Sequence, residues 1–148
     1  MTDDRLLIPQ DPEYFAAMGL ATIAFARLEW NAVWCCERMQ PGYIGTIEDK
    51  RKTAGKIASD LKTISAQWSE GSLAAQILPL AEEFGAVVEE RNGLLHGKPG
   101  TAPGGAQRLF RHGDVWTIEK IHAFSDRCVR AGRPLSTLLY AQLAQPTE

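Results

Sequence analysis

Apolar residues recur along this chain at three- and four-residue steps, the period of helices packed on one side. The pattern predicts a first helix from about Asp11 to Met39, with Pro12 accommodated in its first turn. Phe15, Met18, Phe25, Leu28 and Ala32 supply one apolar surface of that helix, and Leu20, Ile23, Trp30 and Trp34 supply another. A helix apolar around most of its circumference is buried on more than one side, and in a chain this short the second side is readily a subunit interface. Arg27, Glu29 and Asn31 interrupt it. Glu29 stands at helical spacing from Phe25 and Val33, so it either points inward towards a cation or is an ordinary surface carboxylate.

Gln40-Pro41-Gly42 predicts the end of that helix. Thr46 followed by Asp49 resembles a capping start, and Ile47, Ala54, Ile57, Leu61, Ile64 and Trp68 form the stripe of a second helix. Lys50, Arg51, Lys52, Lys56 and Lys62 lie mostly off the stripe and are expected in solvent. Glu70-Gly71-Ser72 separates this element from a third helix, with Leu73, Ile77, Leu80, Phe84 and Val87 inward and a kink or short break expected at Pro79. Residues 97–106 hold four glycines and two prolines and read as a loop. Gln107–Arg111 and Val115–Ile118 flank His112-Gly113-Asp114, which predicts a β-hairpin. A last helix begins near Glu119, places Ile121, Phe124, Cys128 and Val129 inward, and is interrupted by Gly132 and Pro134 before resuming. The tail from Ala144 is expected to fray. The predicted fold is mainly α: one domain over residues 1–148, a helical bundle with a small β-hairpin before the last helix.

At 148 residues the chain is long enough to bury a core without cross-links or metals. A net charge of −2 argues against coating nucleic acid through bulk electrostatics. The charge is uneven, however. Residues 91–133 carry eight Arg or Lys against three Asp or Glu, a surplus of +5 that leaves −7 on the remainder. Such a basic face either holds a few phosphates or is simply solvated. The acidic opening Met1-Thr2-Asp3-Asp4 leads into no apolar core, so no secretory signal is expected, and no apolar run approaches a membrane span. Three cysteines, two of them adjacent, fit free thiols in a reducing cytoplasm better than a disulfide framework.

The chemistry concentrates at the end of the third helix, in Glu89-Glu90-Arg91-Asn92-Gly93-Leu94-Leu95-His96-Gly97. Arg91 continues the apolar series, and a charge in that position needs an anionic partner, a wet cleft or a subunit interface. Asn92 and His96 lie four apart on an adjoining face, and Gly97 with Pro99 behind it reads as the helix stop. Two plainer roles stand beside these: Arg91 pairing with a carboxylate on another helix, and His96 capping the helix C-terminus. His96, His112 and His122 have no metal-ligand spacing, and Gly100-Thr101-Ala102-Pro103-Gly104-Gly105 leads into a hairpin rather than the helix a phosphate cradle requires. No metal and no cofactor is expected.

Arg-Asn followed by His-Gly, with long apolar helix, second helix, third helix, hairpin and final helix in that order, resembles the HEPN superfamily over roughly residues 12–142. Only Arg91, Asn92, His96 and Gly97 are signature residues. The resemblance implies a metal-independent endoribonuclease with a composite active site at a homodimer interface, a toxin or defence component with RNA as substrate and, in some members, an antitoxin-like protein partner. It implies His96 as general acid or base, Arg91 on the scissile phosphate, Asn92 orienting the phosphate or the imidazole, and Glu29 as the polar residue of the first helix. Lys98, Arg108 and Arg111 either close over an RNA backbone or belong to a hairpin that only covers the end of the bundle. The alternative is a catalytically silent HEPN-like module that binds a nucleotide or a protein partner. Whether the chain is an enzyme stays open at this point.

Overall fold

The computed structural model describes residues 3–68 and 71–144. A short 3-10 turn, Asp4–Leu7, precedes five α-helices: α1 Pro12–Met39, α2 Gly45–Asp49, α3 Ala54–Gln67, α4 Gly71–Leu95 and α5 Ile118–Tyr140. A three-stranded antiparallel sheet in the order β1-β2-β3 stands between α4 and α5, made of Lys98–Thr101, Gln107–Arg111 and Asp114–Trp116. The fold is mainly α, a helical bundle, as the periodicity predicts.

Asp11 starts α1 by accepting the Tyr14 backbone N–H at 3.1 Å, which satisfies one of the donors a helix N-terminus leaves open. α1 packs along α5 and α3, and α4 lies against α3 and α5. Leu28, Leu61, Ile77, Phe84, Ile121 and Phe124 are fully buried between them. Each such side chain contributes roughly 2 kcal/mol by leaving water. The helix faces are those the spacing indicates, with two exceptions: Phe15 and Val129 are 41% and 46% exposed.

Several expected helix boundaries differ. The stripe from Ile47 to Trp68 is two helices, because Arg51 turns into the left-handed region at φ 48° and Thr53 caps a new start by accepting the Lys56 N–H. Lys52 in that turn is not a solvated lysine. Its side chain is 8% exposed, its ammonium lies 2.9 Å from Asp60 and 4.0 Å from the centre of the Tyr43 ring, and Tyr43 donates its hydroxyl hydrogen to Asp60 at 2.9 Å. Pro79 does not interrupt α4, and neither Gly132 nor Pro134 interrupts α5. Both prolines are exposed, so the carbonyl that each leaves without an N–H partner, on Ala75 and Arg130, faces water. Gly132 admits α1: a Cβ there would sit 3.3 Å from the Asn31 amide. Of the expected break at 70–72, Gly71 and Ser72 belong to α4, while Glu70 lies outside the described residues, as does the tail beyond residue 144.

The expected hairpin is β2 and β3, and its turn is His112-Gly113, both at positive φ (51° and 84°), with Asp114 paired to Arg111. A two-residue turn with two positive φ angles matches the twist of the strands it joins. Residues 98–101, expected as loop, form a third strand registered from Lys98↔Phe110 to Thr101↔Gln107. An edge strand tolerates Pro99, whose missing N–H would interrupt an interior ladder. Gly100 leaves room for the Phe110 ring, which would lie 3.0 Å from a Cβ. Tyr14 holds the sheet to α1, donating to the Trp116 carbonyl at 2.8 Å and accepting the Leu109 N–H at 3.1 Å.

Candidate functional site at the end of helix α4

The last turn of α4 is wedged between α1 and the sheet, and its residues divide between those neighbours. Gly93 and Gly97 face the sheet. A Cβ on Gly93 would touch Trp116 at 3.7 Å, and one on Gly97 would collide with the Leu109 Cβ at 2.9 Å and the Leu94 carbonyl at 3.1 Å. Gly97 is therefore required by close approach, not by a left-handed stop, since its φ is not among the positive ones.

Arg91 faces α1. Its guanidinium lies 4.9 Å from the centre of the Phe25 ring, an arrangement in which the ring face attracts the cation, and Nη1 donates to the Asn92 Oδ1 at 3.2 Å. Phe25 in turn stacks on Phe84, so the platform beneath Arg91 is anchored in the core. Arg91 opens onto a recess of about 140 Å³ whose wall includes Thr22, Ala26, Glu29, Leu95 and Phe124. Glu29 faces the same recess, as its spacing on α1 allows. Burial pushes its carboxyl above the usual range, and the positive charge of Arg91 opposes that shift. Of the three environments an arginine on this stripe requires, the structure supplies the open cleft: Arg91 forms no ion pair with a carboxylate of the described residues.

His96 is exposed, and its backbone N–H bonds the Asn92 carbonyl at 3.0 Å, which keeps it on the last helical turn. Its side chain does not line the recess that Arg91 and Glu29 share. Arg111 reaches the same turn from β2, its Nη1 3.5 Å from the Asn92 carbonyl and its Nε donating to His112 Nε2 at 3.2 Å. Lys98 is exposed on β1. Arg108 is held elsewhere, paired with Asp11 at 2.7 Å and lying 4.5 Å from the centre of the Tyr14 ring. The structure thus brings Arg91, Asn92 and Glu29 together, adds Arg111 to their flank, and leaves Arg108 at the start of α1.

Two features escape sequence reasoning. Arg127 on α5 bridges Glu83 and Glu90 on α4, donating from Nε to Glu83 at 2.7 Å, and so fixes α4 just before the motif. The seven-residue spacing of those glutamates, two turns of one face, is the only hint in the chain. The second is His112, whose contact with Arg111 depends on a turn that only the folded sheet shows.

Beside the recess, α1 presents Leu20, Ile23, Trp30 and Trp34, between 40% and 60% exposed. Ala26 on the recess wall stands three residues after Ile23 and four before Trp30, so the exposed stripe and the recess share an edge. Cys35, Cys36 and Cys128 are free and buried, with burial pushing each thiol up to about 12. Among the described residues no group of three or more His, Cys, Asp or Glu is placed to hold a metal ion, and no helix is long and apolar enough to cross a membrane. Compared with family models, curated proteins and solved structures, the chain matches none of them.

Proposed function

We propose that this chain is a HEPN-like, metal-independent endoribonuclease whose active site is completed by a second copy across a two-fold axis, acting in the cytoplasm as a toxin or defence component. The observation that carries this reading is the open recess shared by Arg91 and Glu29, with Asn92 beside Arg91 and His96 exposed on the same turn. The apolar stripe along the edge of the recess supports the dimer, because a copy seated on Ile23 and Trp30 would also cover Ala26 and Glu29. The three buried, unlinked thiols fit a reducing compartment.

The chemistry follows from the groups present. His96 takes the proton of a ribose 2′-hydroxyl, and the oxygen attacks the adjacent phosphorus. The bond from phosphorus to the 5′-oxygen breaks, and the leaving oxygen takes a proton from His96 of the partner subunit. The products are a 2′,3′-cyclic phosphate and a 5′-hydroxyl. Arg91 offers a planar fork to the phosphate oxygens and stabilises their growing charge. Asn92 fixes the fork through its Oδ1, and Glu29 lines the same recess as the guanidinium.

Replacing His96 with Ala is expected to lower cleavage by about 10²–10⁴-fold while the fold and dimer survive. Arg91→Ala is expected to lose comparable activity, cleavage is expected to persist in EDTA, and the product should carry a cyclic phosphate. Activity that survives His96→Ala discards the mechanism. The position of His96 outside the recess favours a second reading, a catalytically silent module that holds a nucleotide or a protein partner. Wild-type protein that dimerises but cuts no RNA across a broad panel selects that second reading.

A further inference from the structure

Two half-buried guanidinium groups meet on one asparagine without a carboxylate between them. Arg91 donates to the side-chain oxygen of Asn92, and Arg111 points at its carbonyl oxygen. Neither forms an ion pair with the described residues, although Arg91 shares its recess with Glu29. Two cations gathered on a neutral residue repel, and their partial burial removes the water that would screen them. The Asn92 carbonyl does not require Arg111, because it already accepts the His96 N–H at 3.0 Å. At 3.5 Å the Arg111 contact is at the limit of a hydrogen bond, so most donors of that fork remain unspent.

We infer that Arg91 and Arg111 are the two arms of a clamp for one phosphate group, with β2 supplying the second arm to the motif on α4. His112 sets the orientation of Arg111 by accepting its Nε–H, and with Nη1 turned only weakly towards the Asn92 carbonyl, Nη2 and the second hydrogen of Nη1 are left to face an anion. Arg108, three residues earlier on β2, cannot share this role because Asp11 holds it. The anion has two possible sources, the phosphodiester of an RNA strand or a free phosphate or phosphomonoester. The choice of RNA rests on the ribonuclease reading; the clamp itself rests on the geometry of the two arginines.

The test uses the full chain and two probes: a 2′-O-methylated single-stranded oligonucleotide, which binds without being cleaved, and inorganic phosphate. Arg111→Ala is expected to weaken binding about tenfold and to flatten the dependence of log affinity on log salt by up to about 0.7, the share of one phosphate on a single strand, because Arg91 still holds part of that phosphate. Arg111→Lys is expected to restore the salt slope and only part of the affinity, since a point charge replaces a fork. Thermal melts on each variant separate loss of fold from loss of binding, and Arg111→Lys serves if Arg111→Ala does not fold. Wild-type protein that binds phosphate through Arg111 but ignores the oligonucleotide supports the clamp and overturns the ribonuclease reading. Oligonucleotide affinity and salt slope unchanged in folded Arg111→Ala overturn the clamp and leave Arg111 as a helix cap. Wild-type protein that binds neither probe overturns it as well.

Discussion

Asp60 shows how one partly buried carboxylate can hold a loop and set a pH dependence. Burial alone pushes its carboxyl up, but hydrogen bonds from Lys56, Lys52 and Tyr43 outweigh burial and hold it below the usual carboxylate value. Glu37 secures the same loop from the other side, accepting the N–H groups of Gly42 and Ile44. A group whose folded pKa is depressed contributes stability above its unfolded value, here 3.8, and loses that contribution as pH falls through the folded value. Asp60→Ala leaves the Lys52 ammonium buried without its partner, so it is expected to cost about 3 kcal/mol at pH 7. Urea denaturation of wild type and variant should show that difference shrinking below about pH 4. A difference that stays constant down to the lowest pH would mean the carboxylate charge is not what holds the turn.

At the scale of elements, the contact of α4 with β2 decides where the motif points. The helix end and the strand approach so closely that Gly97 has no room for a methyl group: a Cβ would meet another Cβ on Leu109 and a backbone oxygen on Leu94. Gly97→Ala is therefore expected to push the sheet off the helix, at about 2 kcal/mol and a melting temperature lower by roughly 5–10 °C. Because the same shift moves Arg111 away from Asn92, phosphate binding should weaken along with stability. A fully stable Gly97→Ala would show that the signature glycine is not needed for packing. The elements also show which breakers act. Gly42, at φ 93°, stands in the turn that ends α1, whereas Pro79 and Pro134 sit on exposed helix faces where water replaces the lost bond.

At the scale of the molecule, the exposed stripe of α1 is the largest departure from a self-contained bundle. Leu20, Ile23, Trp30 and Trp34 follow the three-four spacing of a packed seam, with Arg27 in the middle, yet no element among the described residues covers them. Buried tryptophans commonly contribute at least about 2 kcal/mol to an interface. Trp30→Glu is thus expected to raise the dimer dissociation constant about 30-fold or more. Sedimentation should report a monomer at micromolar concentration. Trp30 is half exposed in the single chain, so its fold should be unaffected. A Trp30→Glu protein that remains dimeric would place the interface elsewhere and remove the composite site built on this face.

The helices, most of their inward faces, the β2–β3 turn and the position of Arg91 on a packed stripe were legible in the chain, because helical period and turn chemistry are local properties, whereas the spacing of Glu29 left it open between an inward and a surface carboxylate. Arg91 continues a stripe and Glu29 is one turn from Phe25, so their convergence needed only the pairing of α1 with α4. Other features depended on contacts between distant residues. The split at Arg51 and the burial of Lys52 follow from Asp60 and Tyr43. The strand over residues 98–101 exists because β2 offers an edge, although its own glycine and proline disfavour a strand. Arg108 and Arg111 are alike in sequence, three residues apart on one strand. Only the folded chain gives one of them to Asp11 and aims the other at Asn92, because a charge takes its role from whichever partner the fold brings within reach.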